Sequence, residues 1–261
     1  MSRFKLFILF VFACSVSFLK AVDLNFYEKS LYSANGEDGI LAKILQTIAP
    51  VPHFCVEIGA GDGERGSNTY LLRLQNWNAL LLDRLYGAPK HHLHQEFVTA
   101  ENINSLFDKY KAPLEFGLLS IGIDYNDFYL WKALDEKYRP AIVLIEYNGK
   151  HSPDEDKIVK YRPFFVGDAT DYYGASLLAL WNLGRSKGYS LVYAEQSGTH
   201  LFFIRDDLIQ DKELMFNDIN DPIKLHRYPA EPRRPDPKNR PYFESFSAPF
   251  QKFLKRSTST A

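Results

Sequence analysis

The segment Val56-Glu57-Ile58-Gly59-Ala60-Gly61-Asp62-Gly63 decides how this chain is read. It closes a short apolar run that begins at Phe54 and sets three glycines at alternate positions directly after it. An apolar run of this length, bounded by turn residues, reads as a strand buried on both faces. The glycines let the chain turn sharply and let backbone amides approach a ligand with no Cβ in the way. The nicotinamide-dinucleotide fingerprint asks for glycine at the first, third and sixth positions, and counting from Gly59 the sixth is Glu64. Glu57 also opposes that reading, because a carboxylate repels a pyrophosphate.

Working outward from the turn, the apolar pattern predicts strands at 54–58, 79–82, 97–98, 116–123, 141–145, 189–194 and 200–204. Helices are predicted from about 38 to 48, beyond a Ser67-Asn68 cap through Leu74, and over 102–110, 127–138 and 174–187. Strands alternating with helices imply a mostly parallel sheet covered on both faces. The last two strands are only a few residues apart, too close for a crossover, so they form an antiparallel hairpin. The expected fold is therefore α/β, the class I methyltransferase variant of the Rossmann-like architecture.

The chain has 261 residues, 46% of them hydrophobic, enough for one substantial domain at about 30–207. Its formal net charge of −1 argues against bulk nucleic acid as a partner, since phosphate neutralisation needs a basic surplus. Cys14 and Cys55 are its two cysteines and supply neither a disulfide framework nor a cysteine-rich metal site. Residues 1–21, with Arg3 and Lys5 ahead of an apolar stretch, read as a signal peptide or an uncleaved signal anchor. Either reading predicts export into a periplasmic, lumenal or extracellular space, with the membrane touched only through the leader. Residues 222–261 hold seven of the fourteen prolines and read as an extended wrap or tail.

In a parallel sheet, ligands gather beyond the carboxyl ends of the strands. Glu57, Asp83, Asp124 and Glu146 all fall at or beside such ends. Glu57 suits the ammonium of the methionine end of S-adenosylmethionine, and Asp83 is placed to accept the ribose hydroxyls. With Gly59, Gly61 and Gly63 they form the expected cofactor site. Asp124 is the first choice for a catalytic base or orienter. Asn126, Glu146 and Asn148 are expected on the side of the acceptor, a small molecule or glycan hydroxyl. Asp127 reads either as a helix cap or as part of the site. The Ser33–Gly39 stretch reads as a helix cap, a lid over the pocket, or both. His91, His92 and His94 lack the spacing of a metal site and read as a solvated loop.

The order of Ser33-Ala34-Asn35-Gly36-Glu37-Asp38-Gly39, Val56-Glu57-Ile58-Gly59, Ser67-Asn68-Thr69, Ser120-Ile121-Gly122-Ile123-Asp124 and Ile145-Glu146-Tyr147-Asn148 resembles the FkbM-type methyltransferase-like proteins. The resemblance covers roughly residues 30–207. It implies S-adenosylmethionine as methyl donor and a hydroxyl group as the usual acceptor. One departure stands out: Gly122 occupies a position where the resemblance implies an acid, and Tyr125 one where it implies glycine. An exported binding protein that keeps the fold without turnover, and a nucleotide-sugar enzyme on a related sheet, are the competing expectations.

Overall fold

A computed structural model describes residues 21–209 and 215–246. Seven strands form one sheet: β1 Phe54–Ile58, β2 Asn78–Asp83, β3 Leu93–Gln95, β4 Glu115–Ile121, β5 Arg139–Glu146, β6 Tyr189–Ala194 and β7 His200–Arg205. Their spatial order is β3-β2-β1-β4-β5-β7-β6. The first five are parallel, while β7 runs antiparallel to β5 and to β6. The expected mostly parallel α/β sheet with its terminal hairpin is thus what the chain forms. The hairpin is tucked in, however, so that the later strand lies inside and the earlier one at the edge.

The helices that flank the sheet are α1 Glu37–Thr47, α2 Tyr70–Leu74, α3 Ile103–Lys109, α4 Asp127–Ala133 and α5 Leu177–Ser186, and a short helix follows at Pro222–Leu225. Alternate residues of each strand face opposite layers. Val56, Ile58, Leu119, Ile121, Val143 and Ile145 join the apolar faces of α3, α4 and α5 in one core. Cys55, Leu81, Leu118, Ile142 and Leu144 pack with Ile40, Leu41 and Ile44 of α1 and Leu72 of α2 in the other. Burial on both faces is why the central strands read as unbroken apolar runs.

Several boundaries differ from the sequence expectation: α5 begins at Leu177, where Ser176 caps it, and β4 ends at Ile121, two residues before the expected end. Helix α4 stops at Ala133 because Leu134 turns extended and Asp135 caps the Lys137 amide instead of continuing the helix. The third strand is Leu93–Gln95, set by its pairing with Leu81–Asp83, and Phe97 and Val98 lie beyond it. Ser67 does not cap α2: the N-cap is Thr69, without a side-chain bond to the helix. The leader through residue 20 lies outside the described residues, as does the Ser/Thr tail. No helix among the described residues is long and apolar enough to cross a membrane. Within the described part of the proline-rich segment, Phe243 bridges Ile158 in both directions.

Candidate functional site

The turns after β1, β2 and β4 are stitched together at the carboxyl end of the sheet. Gly59 and Ala60 donate their amides to the Leu82 carbonyl at 2.9 and 3.2 Å, and Gly122 donates to Ile58 at 3.0 Å. Two glycines of the turn serve different ends. A Cβ on Gly59 (φ +86°) would meet the Gly122 carbonyl oxygen, so this glycine answers to the protein itself. A Cβ on Gly61 (φ +56°) would meet nothing within 4 Å, so this one opens toward empty space. Gly63 faces Leu81 and Leu93, and its carbonyl accepts from the Arg73 guanidinium.

Gly59, Gly61, Asp83, Gly122, Asp124 and Asn126 line one cavity of about 180 Å³. Asp83 Oδ2 accepts the Gly61 amide at 2.9 Å, and Oδ1 accepts those of Leu85 and Tyr86 at 2.7 and 3.1 Å. A carboxylate has about four acceptor sites, so three are filled and one remains on Oδ2 for a ligand hydroxyl. Asn126 donates Nδ2 to Arg162 O at 2.7 Å, and its Oδ1 is buried with no hydrogen-bond partner. That orphaned acceptor calls for a donor.

Glu57 lies elsewhere than the sequence places it. Its Oε2 accepts the Ser67 and Thr69 hydroxyls, each at 2.6 Å, and its Oε1 accepts the Asn68 amide at 2.8 Å. Period-2 alternation turns Glu57 toward α2, opposite the cavity-lining Ile58. Burial raises its pKa against the pull of these donors. The carboxylate thus organises the loop that leads into α2.

A second cavity of about 570 Å³ adjoins the first, and both are lined by Arg84, Asp124 and Val166. Glu146, Asn35 and Thr199 line it from the sheet side, while Glu231 and Arg234 of the wrapping segment close its outer wall. Lys150 anchors that wall, bonding Asp171 at 2.7 Å and Pro232 O at 3.1 Å. Asn148 does not reach the cavity. It is fully buried, with Nδ2 on the carbonyls of Asp171 and Tyr173 and Oδ1 taking the Lys150 amide.

Asp124 sits where the cavities meet, exposed and in a left-handed conformation (φ +67°), with its amide on Glu146 Oε2 at 3.2 Å. Asp127, 1% exposed, accepts the Ile123 amide on Oδ1 at 2.8 Å and leaves Oδ2 buried without a hydrogen bond. It is the first residue of α4, and Asn126 occupies the cap position. Burial drives the Asp127 carboxyl up to about 7, with the Asp124 charge adding to it. Burial and the charges of Asp127 and Asp124 likewise push Glu146 well up. The site therefore retains a proton among its carboxyls that free carboxylic acids would have lost.

One pair escaped the sequence reading. His200, the first residue of β7, lies opposite Glu146 in the β5–β7 register. Its Nδ1 is 2.8 Å from Oε1 of the fully buried Glu37, on the first turn of α1. Burial would raise the Glu37 carboxyl, but the hydrogen bond and charge of His200, with the amides of Glu37 and Asn35, outweigh it and hold it at about 2. Ser33 and Asp38 supply the cap: Asp38 Oδ2 takes the amides of Leu31, Tyr32 and Ser33, and Ser33 Oγ takes that of Asp38. Glu195 lies within 4.8 Å of Glu37 and His200, but its oxygens already accept from Ser197, Thr199 and His200. It shapes the β6–β7 turn and is poorly suited to hold a metal. His94 of the His91–His94 stretch stacks on Tyr110 at 3.9 Å.

The sequence matches no model of a known protein family, and no curated protein compared with it is significantly similar.

Proposed function

We propose that the protein is an S-adenosylmethionine-dependent methyltransferase acting on a hydroxyl of a small molecule or glycan. One observation carries the reading: a cavity walled by Gly59, Gly61 and Asp83 adjoins a larger one, and Asp124 lines both. A two-substrate transfer needs such a junction, because the acceptor must approach the donor's methyl carbon in line. The cavity fits the donor in two further respects. The free acceptor site on Asp83 suits a ribose hydroxyl, and the orphaned Oδ1 of Asn126 suits an N–H of the ligand. Bound there, the donor would supply an electrophilic methyl on a positively charged sulfur.

The chain's own residues would then do the remaining work. Gly59 and Gly61 keep the floor bare of side chains, and the Asp124 carboxylate at the junction would favour a cationic donor. Phe165 and Val166 add apolar lining to the cavity. Calorimetry of the full chain with S-adenosylmethionine tests the reading, with binding expected and lost by at least tenfold in Asp83→Ala. No binding at millimolar donor sinks it. Binding of a uridine or guanosine diphosphate in its place would favour a nucleotide-sugar enzyme. Donor binding without transfer to any acceptor would favour the non-catalytic binding protein.

A further inference from the structure

The Glu37–His200 pair is built like a base and its orienter. A carboxylate on one imidazole nitrogen fixes the tautomer, so that the other nitrogen carries the lone pair. Here Glu37 takes Nδ1, and Asn35 holds the Glu37 carboxylate through its amide at 2.7 Å. No hydrogen bond to Nε2 exists among the described residues, and the His200 side chain keeps 12% of its surface exposed.

The direction of Nε2 is fixed by Gly122. A Cβ placed on Gly122 would sit 3.8 Å from it, and Gly122 lines the first cavity. On its other side, His200 follows Thr199 and pairs in register with Glu146, both of which line the second cavity. Residues that line the two cavities, Gly122 of the first and Thr199 and Glu146 of the second, thus flank the imidazole, which is not itself part of either lining. The missing side chain at position 122 has a physical correlate: an acid there would project onto Nε2 and occupy it, and glycine leaves it open.

We propose that His200 Nε2 is the proton acceptor of the reaction, oriented by Glu37, for a hydroxyl presented from the second cavity. The proposal rests on the methyl-transfer reading for the identity of the donor. The hydroxyl oxygen forms a bond to the methyl carbon as the carbon–sulfur bond breaks and its electron pair stays on sulfur. The hydroxyl proton passes to Nε2, and the Glu37 carboxylate balances the imidazolium until solvent removes the proton. Asp124 and Glu146 then position the acceptor, leaving proton removal to the histidine.

The test compares two acceptor probes with tritiated S-adenosylmethionine at pH 8. Methyl α-glucopyranoside, small enough for a cavity of about 570 Å³, keeps its hydroxyl protons in solution. 4-Nitrophenol is already ionised there and needs no base. A general base contributes typically 10²–10⁴-fold, so H200Q is expected to lose at least 100-fold with the glucoside. With nitrophenolate the loss is expected to stay under about fivefold, with donor affinity by calorimetry within threefold of wild type. E37Q, which keeps a hydrogen-bond acceptor for Nδ1 but not the charge, should lose about tenfold with the glucoside alone. If H200Q fails to fold, E37Q carries the same comparison. Equal losses with both probes, or no loss with the glucoside, overturn the proposal. So does wild-type protein that binds donor and methylates neither probe, which leaves the donor reading standing. Wild-type protein that does not bind the donor at all refutes that reading first.

Discussion

Gly59 and Gly122 meet backbone to backbone, so closely that a Cβ on Gly59 would overlap the Gly122 carbonyl oxygen. The turns after β1 and β4 are therefore fitted to each other before any ligand arrives. The floor of the first cavity is a contact between two backbone turns on one side and open space on the other. Substitutions at the two glycines of that floor separate these roles.

Gly59→Ala forces backbone apart and strains a positive φ, at a cost of about 2–4 kcal/mol. Gly61→Ala meets no atom and should cost about 1 kcal/mol from the left-handed backbone alone. Urea unfolding should rank the two in that order. Donor affinity should fall in Gly61→Ala despite its near-normal stability, because the new methyl enters the cavity. Equal unfolding midpoints would contradict the close contact.

Glu57→Gln presents an amide group to three donors that now share a carboxylate. Hydrogen bonds to a charged group contribute about 1.5–3 kcal/mol each, and the partial loss should cost about 2–3 kcal/mol by denaturant unfolding. Amide exchange should quicken at Asn68 and Thr69 more than at Gly61 or Asp83. A variant that unfolds like the wild type but loses donor binding would return Glu57 to the ligand.

The sign of the pH dependence follows from Asp127. Its folded pKa of about 7 stands above its ordinary value of 3.8, so the folded chain holds a proton that the unfolded chain has released. Stability from this group is then full below about pH 4 and declines as pH rises to about 7. Asp127→Asn keeps an oxygen for the Ile123 amide and removes the titration. Its unfolding free energy should be flatter between pH 4 and 7 and higher than wild type at pH 8. Glu37 contributes in the opposite sense: held at about 2 against 4.5, it adds stability above pH 4.5 that is lost as pH falls toward 2. A wild type that gains stability steadily from pH 4 to 7, with no change in Asp127→Asn, would refute the assignment.

Lys150→Met takes the ion-pair partner from the Asp171 carboxylate, which is 13% exposed and keeps the Arg234 amide on Oδ2. Breaking one partner of a buried ion pair costs about 3–5 kcal/mol, and the partial exposure here puts the expectation near 3. Because Lys150 also holds the Pro232 carbonyl, limited proteolysis should cut the wrapping segment around 230–240 sooner than in wild type. Unchanged cleavage would show that the wall stands without its anchor.

The central sheet was legible because Val56, Leu119 and Val143 sit on strands buried on both faces, and the glycine turn has no cheaper explanation. Asp83, Asp124 and Asn126 could be placed near the cavity from strand-end logic alone. Glu57 could not, since period-2 alternation, and not rank along the strand, decides which layer a carboxylate faces. Asn148 reads like a ligand-binding residue but satisfies buried carbonyls, and only the three-dimensional path of the 171–173 segment reveals those. The Glu37–His200 contact spans 163 positions and depends on β7 entering between β5 and β6. A hairpin signal gives the two strands without saying which one is inside. The one hint was local: Glu37 and Asp38 set two adjacent acids in the first turn of α1, and Asp38 alone accounts for the amides of the preceding loop.

That inserted strand also sets a timetable. As the chain leaves the ribosome, β6 emerges first but has no partner at the edge of β5, because the place beside β5 belongs to β7. His200 therefore reaches Glu37 only when the last strand closes the sheet. A chain stalled or clipped before residue 200 would lack both the histidine that Glu37 holds and the strand that joins β5 to β6.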